Sequence, residues 1–224
     1  MNGDTRLPVA VLISGTGSNL KALLEASAAG AAYRVVTVLS NRPEAGGLAH
    51  AAAAGVPATV IDHRRHPDRE SFDRALLEAL APHAPQLVVL AGFMRVLTPL
   101  FVRRWAGRLL NIHPSLLPAW RGLDTHRRVL AAGERRHGAS VHFVTEGLDE
   151  GPVIVQAEVP VEDGDDEARL AARVHTVEHR IYPLAVDWFG RGWLRQDGDR
   201  VWFRGRILDR PLRYPDDEAA WHAP

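Results

Sequence analysis

PVAVLISGTGSNLKALLEASAAG, residues 8–30, is the stretch that decides the fold. Pro8–Ile13 is a continuous apolar run, the pattern of a strand covered on both faces. Ser14-Gly15-Thr16-Gly17 breaks the run with a turn. From Ser18 to Ala29 the period becomes helical, with Leu20, Leu23 and Leu24 on one face, and Gly30 stops it. The same alternation recurs downstream. Val-rich Tyr33–Leu39 reads as a strand, Asn41-Arg42-Pro43 as a turn, and an alanine-rich helix then runs to Gly55. Ala58–Ile61 reads as a third strand, His63–Pro67 as a polar loop, Arg69–Leu80 as a helix and Leu87–Ala91 as a fourth strand. Strands and helices alternating at this spacing predict an α/β fold. The expected sheet is open, twisted and mostly parallel, with helices on both faces, Rossmann-like, and with right-handed crossovers.

The second half is less regular. Leu109–His113 reads as a short strand entering the proline-rich loop Pro114–Pro118, and a helix is expected over Thr125–Ala132, ending at Gly133. Ser140–Val144 and Val153–Val159 read as strands joined by Gly147-Leu148-Asp149-Glu150-Gly151. Asp166–Phe189 is a long helical pattern, followed by short strands around Trp193 and Val201–Phe203 and then a polar tail. There is no internal repeat and no low-complexity linker. One domain is the simplest account, with residues 1–190 as its body and 191–224 as a C-terminal appendage.

Composition narrows the function classes. The chain has 224 residues, 46% of them apolar, enough to bury a core without staples. It has no cysteine, which excludes disulfides, thiolate metal sites and cysteine nucleophiles. The 27 basic and 27 acidic residues cancel, so no electrostatic footprint for nucleic acid exists. Lys21 is the only lysine, a compositional bias. Met1–Pro8 is polar, with Asp4 where a signal peptide would be basic, and apolar runs such as Leu87–Phe93 are too short to span a bilayer. A cytoplasmic protein, without membrane or nucleic-acid partners, is the expectation.

Three features carry chemistry. The glycine loop sits where free N–H groups and a helix dipole favour an anion, beyond the carboxyl end of a strand. A dinucleotide fingerprint would need a third glycine at Leu20 and an acidic residue where Ser40-Asn41 stand, and the Gly-Lys-Ser/Thr of a triphosphate loop is absent. One terminal phosphate of a small molecule fits better. The structural alternative is a glycine turn with Ser18 as helix cap. Asn111 and His113 lie two apart at a strand end, so their side chains share a face at the edge where ligands bind. An imidazole exchanges protons near neutrality, and an amide can donate to a developing oxyanion. Asp149, flanked by glycines, would favour the imidazolium if it reaches His113. The structural alternatives are a hydrogen-bonded histidine and an ordinary turn aspartate.

These features occur together in a known family. VLISGTGSNLKALLEA from Val11, LAGFMRVLTPLFV from Leu90, GRLLNIHPSLLPAWRGLDTH from Gly107, GASVHFVTEGLDEGPVIVQ from Gly138 and RVHTVEHRIYP from Arg173 resemble the glycinamide ribonucleotide formyltransferases, in the family's order, over about 9–189. The resemblance implies the formyltransferase fold and transfer of a formyl group from 10-formyltetrahydrofolate, a cosubstrate, to the amine of glycinamide ribonucleotide. It implies that Gly17, Ser18 and Asn19 hold the ribonucleotide phosphate and that Glu178 contacts the ribonucleotide. Asn111, His113 and Asp149 would be the catalytic trio. Arg69, Met94, Arg95, Val96 and Leu97 would bind the folate together with Asn111, and Leu90, Leu109 and Val144 would wall its pterin. The same residues also have bland readings, as core apolars and solvated arginines. His175 and His179 share a helix face, but no third ligand is identifiable and no metal is expected. Asp124 stands where some members have histidine and receives no role; the Trp120-Arg121 stretch varies in the family. A monomer or homodimer is expected. The main alternative is a formyltetrahydrofolate hydrolase using the same module, disfavoured because only Met1–Pro8 precedes the first strand. A methionyl-tRNA formyltransferase would need a longer tail than 190–224 and a basic footprint. A non-catalytic folate- or nucleotide-binding regulator would not need the intact trio.

Overall fold

The structure, a computed structural model, describes residues 5–217 and Trp221. The polar N-terminal residues 1–4 and the end of the expected tail, 218–220 and 222–224, lie outside the described residues.

The alternation read from the sequence is present. Strand β1 (Leu7–Ile13) leads into helix α1 (Ser18–Ala28), then β2 (Tyr33–Ser40), α2 (Gly47–Ala53) and β3 (Ala58–Val60). Helix α3 (Arg69–Leu80) is followed by β4 (Leu87–Leu90), α4 (Pro99–Arg104) and β5 (Leu109–His113). Then come α5 (Thr125–Ala131), β6 (Arg136–Phe143), β7 (Val153–Pro160) and the long α6 (Glu167–Gly190). Four strands close the chain: β8 (Leu194–Asp197), β9 (Arg200–Phe203), β10 (Arg206–Ile207) and β11 (Leu212–Tyr214).

Eight strands form one sheet in the order β11-β7-β6-β5-β4-β1-β2-β3. Every adjacent pair is parallel except those made by β6, which runs against both β5 and β7. The helices cover both faces, and the strand alternation divides the apolar side chains between two cores. Val9, Val11, Ile13, Val89, Leu110 and Ile112 pack towards α1 and α6. Ala10, Leu12, Val88, Leu90 and Leu109 pack with Phe72 and Leu76 of α3 and Phe101 of α4.

Four differences from the sequence reading have physical causes. β3 is exposed along its whole length because it is the sheet edge, so its apolar run does not signal burial. The polar loop contains a 3-10 turn, His63–Arg65, capped by the Asp62 side chain. α4 is too short for a periodic signal; Pro99 at its first turn starts it. Within the expected polar tail, β11 adds to the main sheet beside β7. Three residues, one of them buried, carry too little pattern to be read as a strand.

Tyr182 of α6 ties the sheet together where the carboxyl ends of β4 and β5 meet. Its hydroxyl, fully buried, lies 3.0 Å from the Leu90 carbonyl and 3.2 Å from that of Leu110 and donates its proton between them. Tyr182→Phe removes the donor and keeps the ring, losing a fully buried hydrogen bond at a cost of about 1–2 kcal/mol. The melting temperature is expected to fall by about 2–8 °C. Calorimetry of the two proteins checks this, and an unchanged melting temperature would show that the hydroxyl is not needed there.

Candidate active site

The centre of the site follows from β5. Period two places Asn111 and His113 on the face of Leu109, towards α3 and α4, while Leu110 and Ile112 face α6. Because β6 is antiparallel, His142 stands directly opposite Asn111, and Ser140 opposite His113. The 144–152 loop then folds back over this face and brings Asp149 to His113. Asp149 Oδ2 lies 3.4 Å from His113 Nδ1. Its φ of 52° is in the left-handed region, which aspartate tolerates better than most residues. Gly151 permits the fold-back: a Cβ there would strike the Phe143 carbonyl.

His113 is enclosed, with 7% of its side chain exposed, and Asp149 with 9%. The His113 Nε2 is 3.0 Å from the backbone carbonyl of Trp120. A carbonyl only accepts, so Nε2 carries a hydrogen; Nδ1 faces a carboxylate. Both ring nitrogens therefore face acceptors. Asp149 Oδ2 also accepts the Gly122 N–H at 2.9 Å. The 119–124 segment thus touches both members of the pair through its backbone. Arg128 anchors that segment, donating to the carbonyls of Arg121 at 2.6 Å and Leu123 at 3.2 Å.

A second cluster lies at the start of α1. Gly17, not Ser18, occupies the cap position, with φ of 78°. No side chain caps this helix and its first turn contains no acid, so its N–H groups are open to an anion. A Cβ on Gly17 would collide with the Gly47 backbone, which gives the glycine a packing reason as well. Ser18 is half-buried beside it. Asn19 Nδ2 donates to Glu178 Oε2 of α6 at 2.9 Å, while its buried Oδ1 has no partner. Burial raises the Glu178 carboxyl above the ordinary range, opposed by the Asn19 hydrogen bond and by His175.

The third group surrounds the end of β4. Leu90, Leu97 and Leu109 are buried with Phe72 and Phe93, and Val144 packs against them. Met94, Arg95 and Val96 form an exposed segment between, with Met94 59% and Val96 56% exposed. Ser14 Oγ accepts the Met94 N–H at 2.7 Å, which ties this segment to the glycine loop. Asp73 of α3 accepts the Thr98 N–H and hydroxyl, each at 2.6 Å, and fixes the start of α4. Burial raises its carboxyl, opposed first by the two Thr98 hydrogen bonds and then by the charges of Arg69 and Arg95. A hollow of about 460 Å³ opens beside Arg69, Thr98 and Pro99.

The structure therefore gathers the sequence candidates into three adjoining groups. Asp124 lies outside them, at the start of α5, paired with Arg127. The His175 and His179 rings stack with centroids 6.2 Å apart, and among the described residues no three His, Asp or Glu side chains are arranged to hold a metal. Sequence reasoning missed His142, Tyr182, Asp73 and the Trp120 carbonyl. Only the β5–β6 register could have pointed to His142.

The formyl transferase family model matches residues 7–186. The chain belongs to the formyl transferase family. It is 49% identical over 211 residues to the phosphoribosylglycinamide formyltransferase of Escherichia coli (strain K12), covering 94% of this chain and 99% of that one. It is 50% identical over 189 residues to the trifunctional purine biosynthetic protein adenosine-3 of Drosophila melanogaster, covering 83% of this chain and 14% of the fly protein. The solved structure of the phosphoribosylglycinamide formyltransferase of Coxiella burnetii superposes with a TM-score of 0.90 at 44% identity, covering 94% of this chain and all of that one. The fold of this formyl transferase is thus the mostly parallel sheet read from its first half.

Glu178 gives this formyl transferase a pH signature. Its raised carboxyl means that the folded chain holds a proton the unfolded chain has released, over a window beginning near the ordinary carboxylate value of 4.5. Stability contributed by this group therefore falls as pH rises through that window. Glu178→Gln keeps an acceptor for Asn19 and removes the penalty. The variant is expected to melt above wild type at about pH 8 and to lose that advantage towards about pH 5. Paired thermal melts at the two pH values decide it; an advantage that does not shrink on acidification would refute the assignment.

Proposed function

We propose that this chain transfers the formyl group of 10-formyltetrahydrofolate to the amine of glycinamide ribonucleotide, 5-phosphoribosylglycinamide, in de novo purine biosynthesis. The observation that carries the residue roles is the approach of Asp149 to His113 beside Asn111, on the face that adjoins both the open α1 terminus and the apolar group around Leu109.

The ribonucleotide lies with its phosphate on the N–H groups of Gly17, Ser18 and Asn19. Glu178 and the free Oδ1 of Asn19 accept hydrogen bonds from its polar body. Its amine then points towards Asn111 and His113. The folate enters along Met94, Arg95, Val96 and Leu97, with Leu90, Leu109 and Val144 against the pterin and Arg69 and Arg95 available to its carboxylates. It arrives carrying the formyl group and departs as tetrahydrofolate, so it is a cosubstrate.

The amine nitrogen attacks the formyl carbon, and the carbonyl π electrons move to oxygen. Asn111 donates an amide N–H to that oxygen and His113 donates from the imidazolium, where preorganised donors are worth most. To reach it, His113 Nε2 exchanges the Trp120 carbonyl for the substrate oxygen, while Nδ1 stays against Asp149. The oxyanion then re-forms the carbonyl and the bond to the folate nitrogen breaks. The former amine loses one proton and the folate nitrogen gains one, through His113 or a water held by Asp149. No bond to the protein forms.

We assign residues 1–190 to the formyltransferase domain and 191–224 to a C-terminal appendage of it, a reading supported by β11 in the main sheet and by Trp221 stacked on Tyr214. We place the protein in the cytoplasm, as monomer or homodimer, without nucleic-acid partners. Among the described residues no helix is long and apolar enough to cross a membrane.

A spectroscopic transfer assay with both substrates tests the reaction. His113→Ala and Asp149→Asn are each expected to lose about 10²–10⁴ in kcat while keeping a native circular dichroism spectrum. Near-wild-type turnover removes that residue from the mechanism. Formate release from 10-formyltetrahydrofolate without an amine would support the hydrolase instead.

A further inference from the structure

His142 has no part in the reaction as derived above, yet it is 2% exposed and bonded to a residue that has. Its Nδ1 lies 2.8 Å from the Phe143 carbonyl, and its Nε2 lies 3.1 Å from Asn111 Nδ2. The two contacts leave little freedom. The carbonyl can only accept, so Nδ1 carries a hydrogen. Burial pushes this imidazole down to about 4, so at neutral pH it has one ring hydrogen and no second. Nε2 is therefore bare and can only accept. The Asn111 atom facing it must be the NH2 nitrogen, because a carbonyl oxygen there would oppose two lone pairs.

We infer that His142 is a positioning residue for formyl transfer: its bare Nε2 fixes which edge of the Asn111 amide is presented to the formyl oxygen. With one N–H of Asn111 Nδ2 held by His142, the other N–H of the same nitrogen is the group left to donate to the developing oxyanion. If His142 carried its hydrogen on Nε2, the amide would turn over and offer its carbonyl oxygen on the His142 side, moving the NH2 group away. The hydrogen-bond chain runs from Asn111 through the ring to the Phe143 carbonyl. It sets a donor direction that the amide alone, with two nearly isosteric ends, cannot set. Asp149 Oδ1, 3.7 Å from Nε2, is beyond hydrogen-bond reach in this arrangement. The same carboxylate therefore serves His113 without recruiting His142.

The inference rests on Asn111 acting as the oxyanion donor, and two measurements separate the claims. In the first, 15N-labelled wild-type protein is examined by two-bond proton–nitrogen correlation of the histidine rings at neutral pH, with His142→Gln identifying the signals. His142 is expected to show a protonated Nδ1 and a bare Nε2, the less common neutral tautomer; a protonated Nε2 overturns the inference. In the second, kcat and KM are compared for His142→Phe, His142→Gln, Asn111→Ala and the Asn111→Ala/His142→Phe double variant. Removing one oxyanion donor costs about 10²–10³ in kcat, so mis-aiming it through His142→Phe should cost about 10–10². KM for the ribonucleotide should stay within about twofold, because the interaction is made in the transition state. His142→Gln, which retains an acceptor oxygen, should recover most of the loss. In the double variant, His142→Phe should add nothing to Asn111→Ala. Losses that multiply, or His142→Phe with wild-type kcat beside a crippled Asn111→Ala, overturn the positioning role. Asn111→Ala with wild-type kcat overturns the reading beneath it as well. Should His142→Phe fail to fold, the tautomer and His142→Gln decide: that variant must fold and turn over within about fivefold of wild type for the role to stand.

Discussion

The site depends on one strand running the wrong way. In a wholly parallel sheet, β5 would be followed by a crossover helix and another parallel strand, and its neighbour's residues would come from a distant turn. Here β6 returns antiparallel beside β5, and direct cross-strand pairing sets His142 against Asn111 and Ser140 against His113. The loop after β6 is short enough to fold back over the same face, carrying Asp149 with it. Asn111, Ser140, His142 and Asp149 are thus gathered around His113 from two hydrogen-bonded strands and one loop. Strands place side chains more rigidly than loops do, and the only loop-borne member is held by the Gly122 N–H as well as by the imidazole. Ser140 adds a second tie. Its hydroxyl donates to the Ser115 carbonyl at 2.6 Å and accepts the Leu117 N–H at 3.0 Å, pinning the proline-rich loop just beyond His113.

The 119–124 segment completes the hydrogen bonding of that centre. It bonds His113 by a carbonyl and Asp149 by an N–H, so it satisfies both members of the pair. An unpaired buried charge is costly, and a backbone that supplies one donor and one acceptor offsets this without adding net charge. In the proposed reaction, exchange of the Trp120 carbonyl for a substrate oxygen would replace one acceptor by a more negative one as the tetrahedral intermediate forms. The segment itself is held by unusual backbone: Trp120 and Asp124 have φ of 58°, and Gly122 has 79°. Arg128 stabilises it through two carbonyls and through its guanidinium, which lies 5.3 Å from the Trp120 ring centre.

How much of this was legible in the sequence follows from range. β1, α1 and β2 were plain because their signals are local: apolar runs, a change of period, and glycines at the breaks. The shared face of Asn111 and His113 was equally local, since period two needs only two positions on one strand. The Asn19 contact with Glu178 spans 159 residues, and the His113 contact with Asp149 depends on the path of the returning loop. The resemblance grouped Asp149 with His113 and assigned Asn19 and Glu178 separately to the ribonucleotide; no physical pattern in the chain announces either contact. His142 shows the boundary most clearly. Its own strand was read, yet its role needs the register of that strand against β5, and no residue in either strand announces a register. β11 failed for the opposite reason: three residues contain no period to read.

His113 and His142 illustrate how identical side chains acquire different work within one site. Both lie within 4 Å of the same carboxylate, one at each oxygen. His113 meets acceptors at both nitrogens. His142 meets an acceptor at one nitrogen and a donor at the other, so its surroundings favour one hydrogen, and burial reinforces that preference. The difference does not come from distance to the charge alone, because 3.4 Å and 3.7 Å are similar. Each ring has a backbone carbonyl beyond it, Trp120 for His113 and Phe143 for His142; the difference is the Asn111 amide N–H, which occupies the carboxylate side of His142 alone. A single carboxylate therefore stands against one ring that meets acceptors at both nitrogens and a second ring that burial keeps neutral. In the proposed reaction, His113 and the Asn111 amide would then stand side by side and both donate to one oxygen.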